Sequence, residues 1–145
     1  MQKLVKQAAF EQKGVSFIFT DLQIAYESFL EDINNLINTG EVPNLFSKKE
    51  DIDEIYSKMR PIASKSKKPD SFESLWNIFI SEIRSNLHVV LCMSPVGEAL
   101  RLRCRKFPSL VNCCTLDWFA SWPKTALYEV AKRNLEGIDV AEQLK

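Results

Sequence analysis

Short, nearly continuous apolar runs alternate with longer stretches of helical spacing along this chain. Residues 2–11, QKLVKQAAFE, predict a helix closed by Lys13-Gly14. Val15 to Thr20, VSFIFT, is short and mostly apolar, which predicts a strand buried on both faces. Its carboxyl end carries Asp21. From Ile24 to Asn38 the residues Tyr26, Phe29, Leu30, Ile33 and Ile37 recur at amphipathic helical spacing, and Gly40 stops the helix. A loop over 41–46 leads to a charged helix from about Lys48 to Arg60. Residues 61–70, PIASKSKKPD, are polar and lysine-rich and predict an exposed, mobile excursion. Asp70 can cap the next helix, with Glu73 completing a capping box. Phe72, Leu75, Trp76, Phe79 and Ile83 form the buried stripe of that helix. Leu87 to Met93 predicts a second buried strand, Val96 to Lys106 a helix, and Asn112 to Leu116 a third strand. Pro123 opens a last helix to about Leu135. Strands alternating with helices over the whole length predict an α/β fold with a parallel sheet.

Composition narrows the function classes. Nineteen acidic residues balance nineteen basic ones, so no electrostatic argument favours nucleic acid or an anionic membrane surface. No apolar run approaches the length that crosses a bilayer, and the amino terminus lacks a signal-peptide pattern, which makes an intracellular chain the expectation. Cys92, Cys104, Cys113 and Cys114 form no CxxC pair and no His-flanked zinc spacing, so no metal site is expected. Cys113 and Cys114 are adjacent on a predicted strand and point to opposite faces, and small buried thiols of a reducing compartment are the expectation for the cysteines.

Candidate chemistry sits at the strand ends. In the block from Leu87 to Phe119 a strand ends on a polar residue, a basic helical segment follows, and a second strand closes the unit. That layout belongs to parallel nucleotide-binding sheets, which place the useful residue at the strand's carboxyl end. Phosphoryl-transfer enzymes put an acid at such a position to help hold magnesium, and Asp21 ends the first strand. The competing reading is that Asp21 caps the helix after it. Ser94 ends the second strand, and Pro95 holds it away from helical geometry. Its hydroxyl can donate one hydrogen bond; the competing reading is an ordinary loop serine. His88 is the single histidine and has no neighbouring cluster to make a metal site or a triad. Trp118, Phe119 and Trp122 read as a packing seam before the last helix. The four glycines, Gly14, Gly40, Gly97 and Gly137, fit no GxxxxGK[ST] loop, so these residues contain no backbone cradle for phosphates and no lysine to bridge them.

The words MSPVGEAL, FPSLVNCCT and DWF, together with FIFTDLQI and SFLEDINNLINTGEVPNLF, resemble dynein heavy chains of the axonemal type. The similarity is to the fourth AAA+ module of the motor ring and runs through nearly the whole chain. It implies an incomplete AAA+, P-loop NTPase-like parallel sheet with flanking helices, lacking the first two strands and the phosphate loop. Residues 1–120 would be a partial large subdomain, from the Walker B-like strand to the last strand, and 121–145 the start of a helical lid. The family sheet orders its strands fifth, first, fourth, third, second, so the predicted strands at 15–20, 87–93 and 112–116 would be the third, fourth and fifth.

The same resemblance assigns roles by position. Thr20 falls on the metal-binding position and Asp21 on that of the water-orienting glutamate, one methylene shorter. Ser94 falls on a polar sensor near the terminal phosphate. Cys113 replaces an arginine that related modules extend toward a neighbour's nucleotide, a residue type worth roughly 10³–10⁵ in rate. Arg101, Arg103 and Arg105 are expected on a solvated or inter-module face. ATP and magnesium are implied as cofactors by resemblance alone. The implied partners are neighbouring AAA+ modules or other dynein subunits, with microtubules reached only through the full-length motor, and no nucleic acid or membrane. The implied place is the cytoplasm and the cytoskeleton of the cilium or axoneme. Two function classes follow: a piece of an ATP-driven microtubule motor without autonomous ATPase activity, or a truncated, non-catalytic product that binds other proteins. Exposed edges of apolar parallel strands favour association, so poor autonomous stability is expected.

Overall fold

The computed structural model describes residues 1–136, which fall into a first unit, Met1–Thr115, and a second that begins at Leu116. In the first unit the order is α1 (Gln2–Glu11), β1 (Val15–Thr20), a 3₁₀ turn (Asp21–Gln23), α2 (Ser28–Thr39), α3 (Lys49–Lys65), α4 (Phe72–Asn86), β2 (Leu87–Cys92), α5 (Ala99–Lys106) and α6 (Ser109–Asn112). The second unit holds α7 (Lys124–Leu135), and the predicted lid beyond residue 136 lies outside the described residues.

β1 and β2 pair in parallel from Val15↔Leu87 to Thr20↔Cys92, giving a mixed α/β fold around a two-stranded sheet. Side chains alternate across a strand, so Val15, Phe17 and Phe19 share a face with Leu87, Val89 and Leu91. That face meets two apolar clusters. One joins Val5, Ala8 and Ala9 of α1 to Ile55, Met59 and Ala63 of α3 and Leu75, Ile78, Phe79 and Ile83 of α4. The other joins Phe19 to Leu30 and Ile33 of α2 and to Phe107 and Leu110. Phe17 and Val89 pack against both. The opposite face carries Ser16, Ile18, His88, Val90 and Cys92, all exposed. The sheet is thus covered on one side only, and the expectation of strands buried on both faces is corrected. Ile18 and Val90 made the runs look two-sided, but no helix of the first unit covers them.

Several predicted boundaries shift for local reasons. α2 begins at Ser28, not Ile24, and buries Leu30, Ile33 and Leu36 while Tyr26 is 69% exposed. α3 runs through Pro61 to Lys65 instead of ending at Arg60. Ile55, Met59 and Ala63 lie four residues apart on one buried stripe, and that packing extends the helix. The proline costs one backbone bond, to the carbonyl of Ser57, and both residues are exposed to water. The excursion therefore shrinks to about residues 66–71. α4 is capped by Ser71, whose Oγ accepts the Ser74 N–H at 3.3 Å; Asp70 instead pairs with Arg60 at 3.3 Å. Phe72, expected on the buried stripe, is 66% exposed. α5 begins at Ala99, three residues later than expected.

The predicted third strand at 112–116 is not formed. The turn α6 ends at Asn112, with Asn112 and Cys113 N–H donating to Pro108 O at 2.9 Å and Ser109 O at 3.0 Å. These local bonds satisfy backbone groups that a strand would have to ladder against a neighbour. Leu110 and Phe107, both 5% exposed, hold the turn against the second cluster.

Tyr56 on α3 packs against Phe72 with ring centroids 4.6 Å apart and the planes tilted by 52°, and its hydroxyl is buried without a hydrogen-bond partner among the described residues. Burial, and then the nearby Asp53, push its pKa above the usual tyrosine value. Because the folded-state pKa is raised above the unfolded one, stability is at its full value below about pH 10 and falls as pH rises past it, when the buried phenol is forced to ionise. Lys6, held by Asp51 and then Glu54, is raised as well and adds to the same alkaline loss. Tyr56→Phe is expected to leave stability at pH 7 unchanged or raised by up to about 1 kcal/mol, since it removes an unsatisfied donor. It should also flatten the decline above pH 10 in a denaturation series; a loss above about 1 kcal/mol at pH 7 would show that the hydroxyl is satisfied.

Candidate functional site

The register brings both strands to an end side by side, with Thr20 opposite Cys92. Just beyond, the chain turns away on each side. After β1 it enters the 3₁₀ turn at Asp21, and Gln23 Oε1 accepts the Thr20 N–H at 2.9 Å. After β2 it reaches Ser94, whose Oγ accepts the Val96 N–H at 3.2 Å across Pro95. This short turn uses a serine lone pair and leaves the hydroxyl proton free to donate.

Asp21 is the centre of the arrangement. Its Oδ2 accepts the Ser94 N–H at 2.6 Å, and its Oδ1 accepts Arg103 Nη1 at 2.9 Å. Arg103 also lies 3.5 Å through Nε from Glu27 Oε1, on the turn before α2. The Arg103 side chain is 18% exposed and that of Asp21 31%, so the pair is partly shielded from water. Hydrogen bonds to charged groups are worth roughly 1.5–3 kcal/mol each, more than a surface ion pair. α2 starts at Ser28 without a side-chain cap, so Asp21 does not cap it and instead ties β1 to the β2–α5 loop and to α5.

Thr20, Asp21 and Ser94 are therefore brought together, as their strand-end positions suggest. Arg103 was expected on a solvated or inter-module face and instead turns inward. A sequence signal for it exists: Phe107, buried at 5%, lies four residues on, and i,i+4 positions share a helix face. Arg101 remains outside, 3.5 Å from Glu98, and Arg105 is exposed. Cys92, on the open sheet face, and Cys113, at the end of α6 where no strand forms to bury it, are both exposed where buried thiols were expected, and Cys113 takes no part in the bonds around Asp21. His88 is exposed on the open sheet face opposite Ser16. Cys114 is half-buried, and burial followed by the adjacent Cys113 raises its thiol pKa, the opposite of an activated nucleophile. In the second unit Trp118, Phe119 and Trp122 are all exposed.

A cavity of about 240 Å³ lies elsewhere, beneath the loop of residues 40–46, lined by Val5, Leu36, Val42, Phe46, Trp76 and Phe79 among others. None of Asp21, Ser94 and Arg103 lines it. Glu41 and Asn44 add polar groups to its mainly apolar wall, and Glu41 is already bonded to Trp76 Nε1, so the strand ends remain the better candidate.

A family model for the P-loop containing dynein motor region D4 matches residues 1–145. The chain belongs to this dynein family. Relatives of this D4 sequence include dynein axonemal heavy chain 6 of Homo sapiens, 51% identical over the whole chain. Dynein axonemal heavy chain 2 of Homo sapiens is 48% identical over 99% of the chain. The Dynein-1-beta heavy chain of the flagellar inner arm I1 complex from Chlamydomonas reinhardtii is 47% identical over 97%. The chain spans 3–4% of the length of these relatives. Membership thus covers the D4 region only, and within the 145 residues the GxxxxGK[ST] loop is absent.

The residues present do not fit a magnesium–nucleotide centre by themselves. Both Asp21 oxygens are engaged, and a guanidinium 2.9 Å away opposes a divalent cation on the same carboxylate. Thr20 beside it adds a hydroxyl but no charge. Among the described residues no group of three or more His, Cys, Asp or Glu could hold a metal ion.

Proposed function

We propose that this chain is a piece of the fourth AAA+ module of an axonemal dynein heavy chain and does not hydrolyse ATP by itself. In this reading residues 1–120 supply part of the large subdomain and 121–145 the start of the lid. The motor they serve is ATP-driven, acts on microtubules and belongs to the cytoskeleton of the cilium or axoneme. Neighbouring AAA+ modules and other dynein subunits are the partners. The observation that carries the non-catalytic part is the engagement of Asp21 by Arg103 and Ser94 in a sequence without a phosphate loop. Thr20, Asp21 and Ser94 then lie near a nucleotide without completing its site, and Cys113 marks a lost arginine finger.

The open sheet face, with Ile18 59% and Val90 45% exposed, favours the accompanying role of packing against other protein. It suits the rest of a module, and equally a truncated product that acts only by binding other subunits. Calorimetric titration of the 145-residue chain with ATP and magnesium is expected to show no binding in the micromolar range. Micromolar affinity would overturn the non-catalytic reading.

A further inference from the structure

We propose that Arg103 is a positioning residue for the strand ends: it holds the Asp21 carboxylate turned onto the β2–α5 loop, making Asp21 a structural hub. The inference rests on the reading of the strand ends as a nucleotide-proximal but non-catalytic site, and names the group that keeps Asp21 from facing a phosphate. The guanidinium is a planar fork with donors on two edges. One edge places Nη1 2.9 Å from Asp21 Oδ1, and Nε lies 3.5 Å from Glu27 Oε1. Asp21, at the start of the 3₁₀ turn, and Glu27, just before α2, are like charges, and Arg103 is the cation that both meet. With Oδ1 fixed, the plane of the carboxyl leaves Oδ2 facing the Ser94 N–H at 2.6 Å. Arg103 thereby sets a backbone bond that it does not itself touch. A lysine in its place is a point charge on a flexible stem, without the planar fork that fixes the orientation of the carboxyl it meets.

Amide hydrogen exchange at Ser94 tests this in the full 145-residue chain. Asp21→Asn and Arg103→Met are each expected to speed Ser94 exchange roughly tenfold, since a bond to a charged acceptor is weakened in both. Exchange at Phe79 and Ile83 in α4 should stay unchanged, and Arg103→Lys should fall between wild type and Arg103→Met. The double variant should exchange no faster than Asp21→Asn alone, because one bond is lost by either route. An unchanged Ser94 rate in Arg103→Met with α4 intact, or single effects that multiply in the double variant, would overturn the proposal. If Arg103→Met also exposes α4, the wild-type chain decides: separate, slowly exchanging Nη proton resonances of Arg103 support the pinned guanidinium, and one averaged resonance refutes it. ATP binding reports on the functional reading and Ser94 exchange on the Arg103 role, so either can fail alone.

Discussion

Replacing Phe79 by alanine is expected to cost about 3–5 kcal/mol, a large part of the roughly 5–15 kcal/mol that holds an ordinary domain together. Phe79 is 1% exposed. Its ring lies 6.2 Å from Phe10 of α1, 5.7 Å from Phe46 of the 41–46 loop and 5.5 Å from Trp76 one turn back on α4. Truncation removes the shared member of three aromatic pairs and enlarges the 240 Å³ gap that Phe79 already lines. The neighbours cannot close over it easily, because Trp76 is fixed by a 3.0 Å bond from Nε1 to Glu41 Oε2. Urea denaturation followed by circular dichroism measures the effect. Phe79→Leu, which keeps most of the apolar volume, should lose only about 1–2 kcal/mol. A Phe79→Ala variant within about 1 kcal/mol of the parent would mean that the stability resides in the other cluster.

Gly40→Ala is expected to destabilise by roughly 1–3 kcal/mol, although it adds a single methyl. Gly40 ends α2 at φ 84°, a left-handed conformation that L-residues adopt only with strain, and its N–H donates to Leu36 O at 2.9 Å. A Cβ there would sit 2.9 Å from Arg84 Cγ and 3.1 Å from Ile80 Cγ2. Arg84 cannot step aside without disturbing its 2.7 Å bond to Asn38 O, which closes the α2 end onto α4. Gly97 is the internal control. It too has positive φ, at 81°, but has no atom within 4 Å of the added Cβ, so its alanine variant should show the strain alone. Thermal unfolding of both variants separates the two terms; equal shifts in Tm would remove the close approach as a cause.

How much of this was legible depended on whether the deciding interaction was local. α1 and β1 have the predicted bounds because a short apolar run and a following Asp are read within a few residues. The continuation of α3 through Pro61 was not legible, since it depends on Ile55, Met59 and Ala63 meeting α1 and α4. Ser71 took the cap from Asp70 by a shift of one position, which a pattern with two adjacent capping residues cannot resolve. The strand at 112–116 failed for a different reason: strand propensity is realised only against a partner, and the helical turn held by Leu110 offers local bonds instead. At the site, the strand-end rule brought out Asp21 and Ser94, which the structure joins directly. It could not show what they bond to. Arg103 reaches Asp21 from α5, 82 residues along the chain, and only the burial of Phe107 hints at its direction.

The parallel pairing of β1 with β2 has a kinetic consequence. Val15 meets Leu87 only after the whole α2–α4 segment has been laid down between them. Helices relax in about a microsecond, whereas closing a long excursion pays its chain entropy before any ladder bond rewards it. The helical hairpin of α3 and α4 can assemble early, with the sheet zipping up late. Every contact that Asp21 makes with Ser94 and Arg103 spans that same loop, so the strand-end constellation is among the last features of the chain to come into existence.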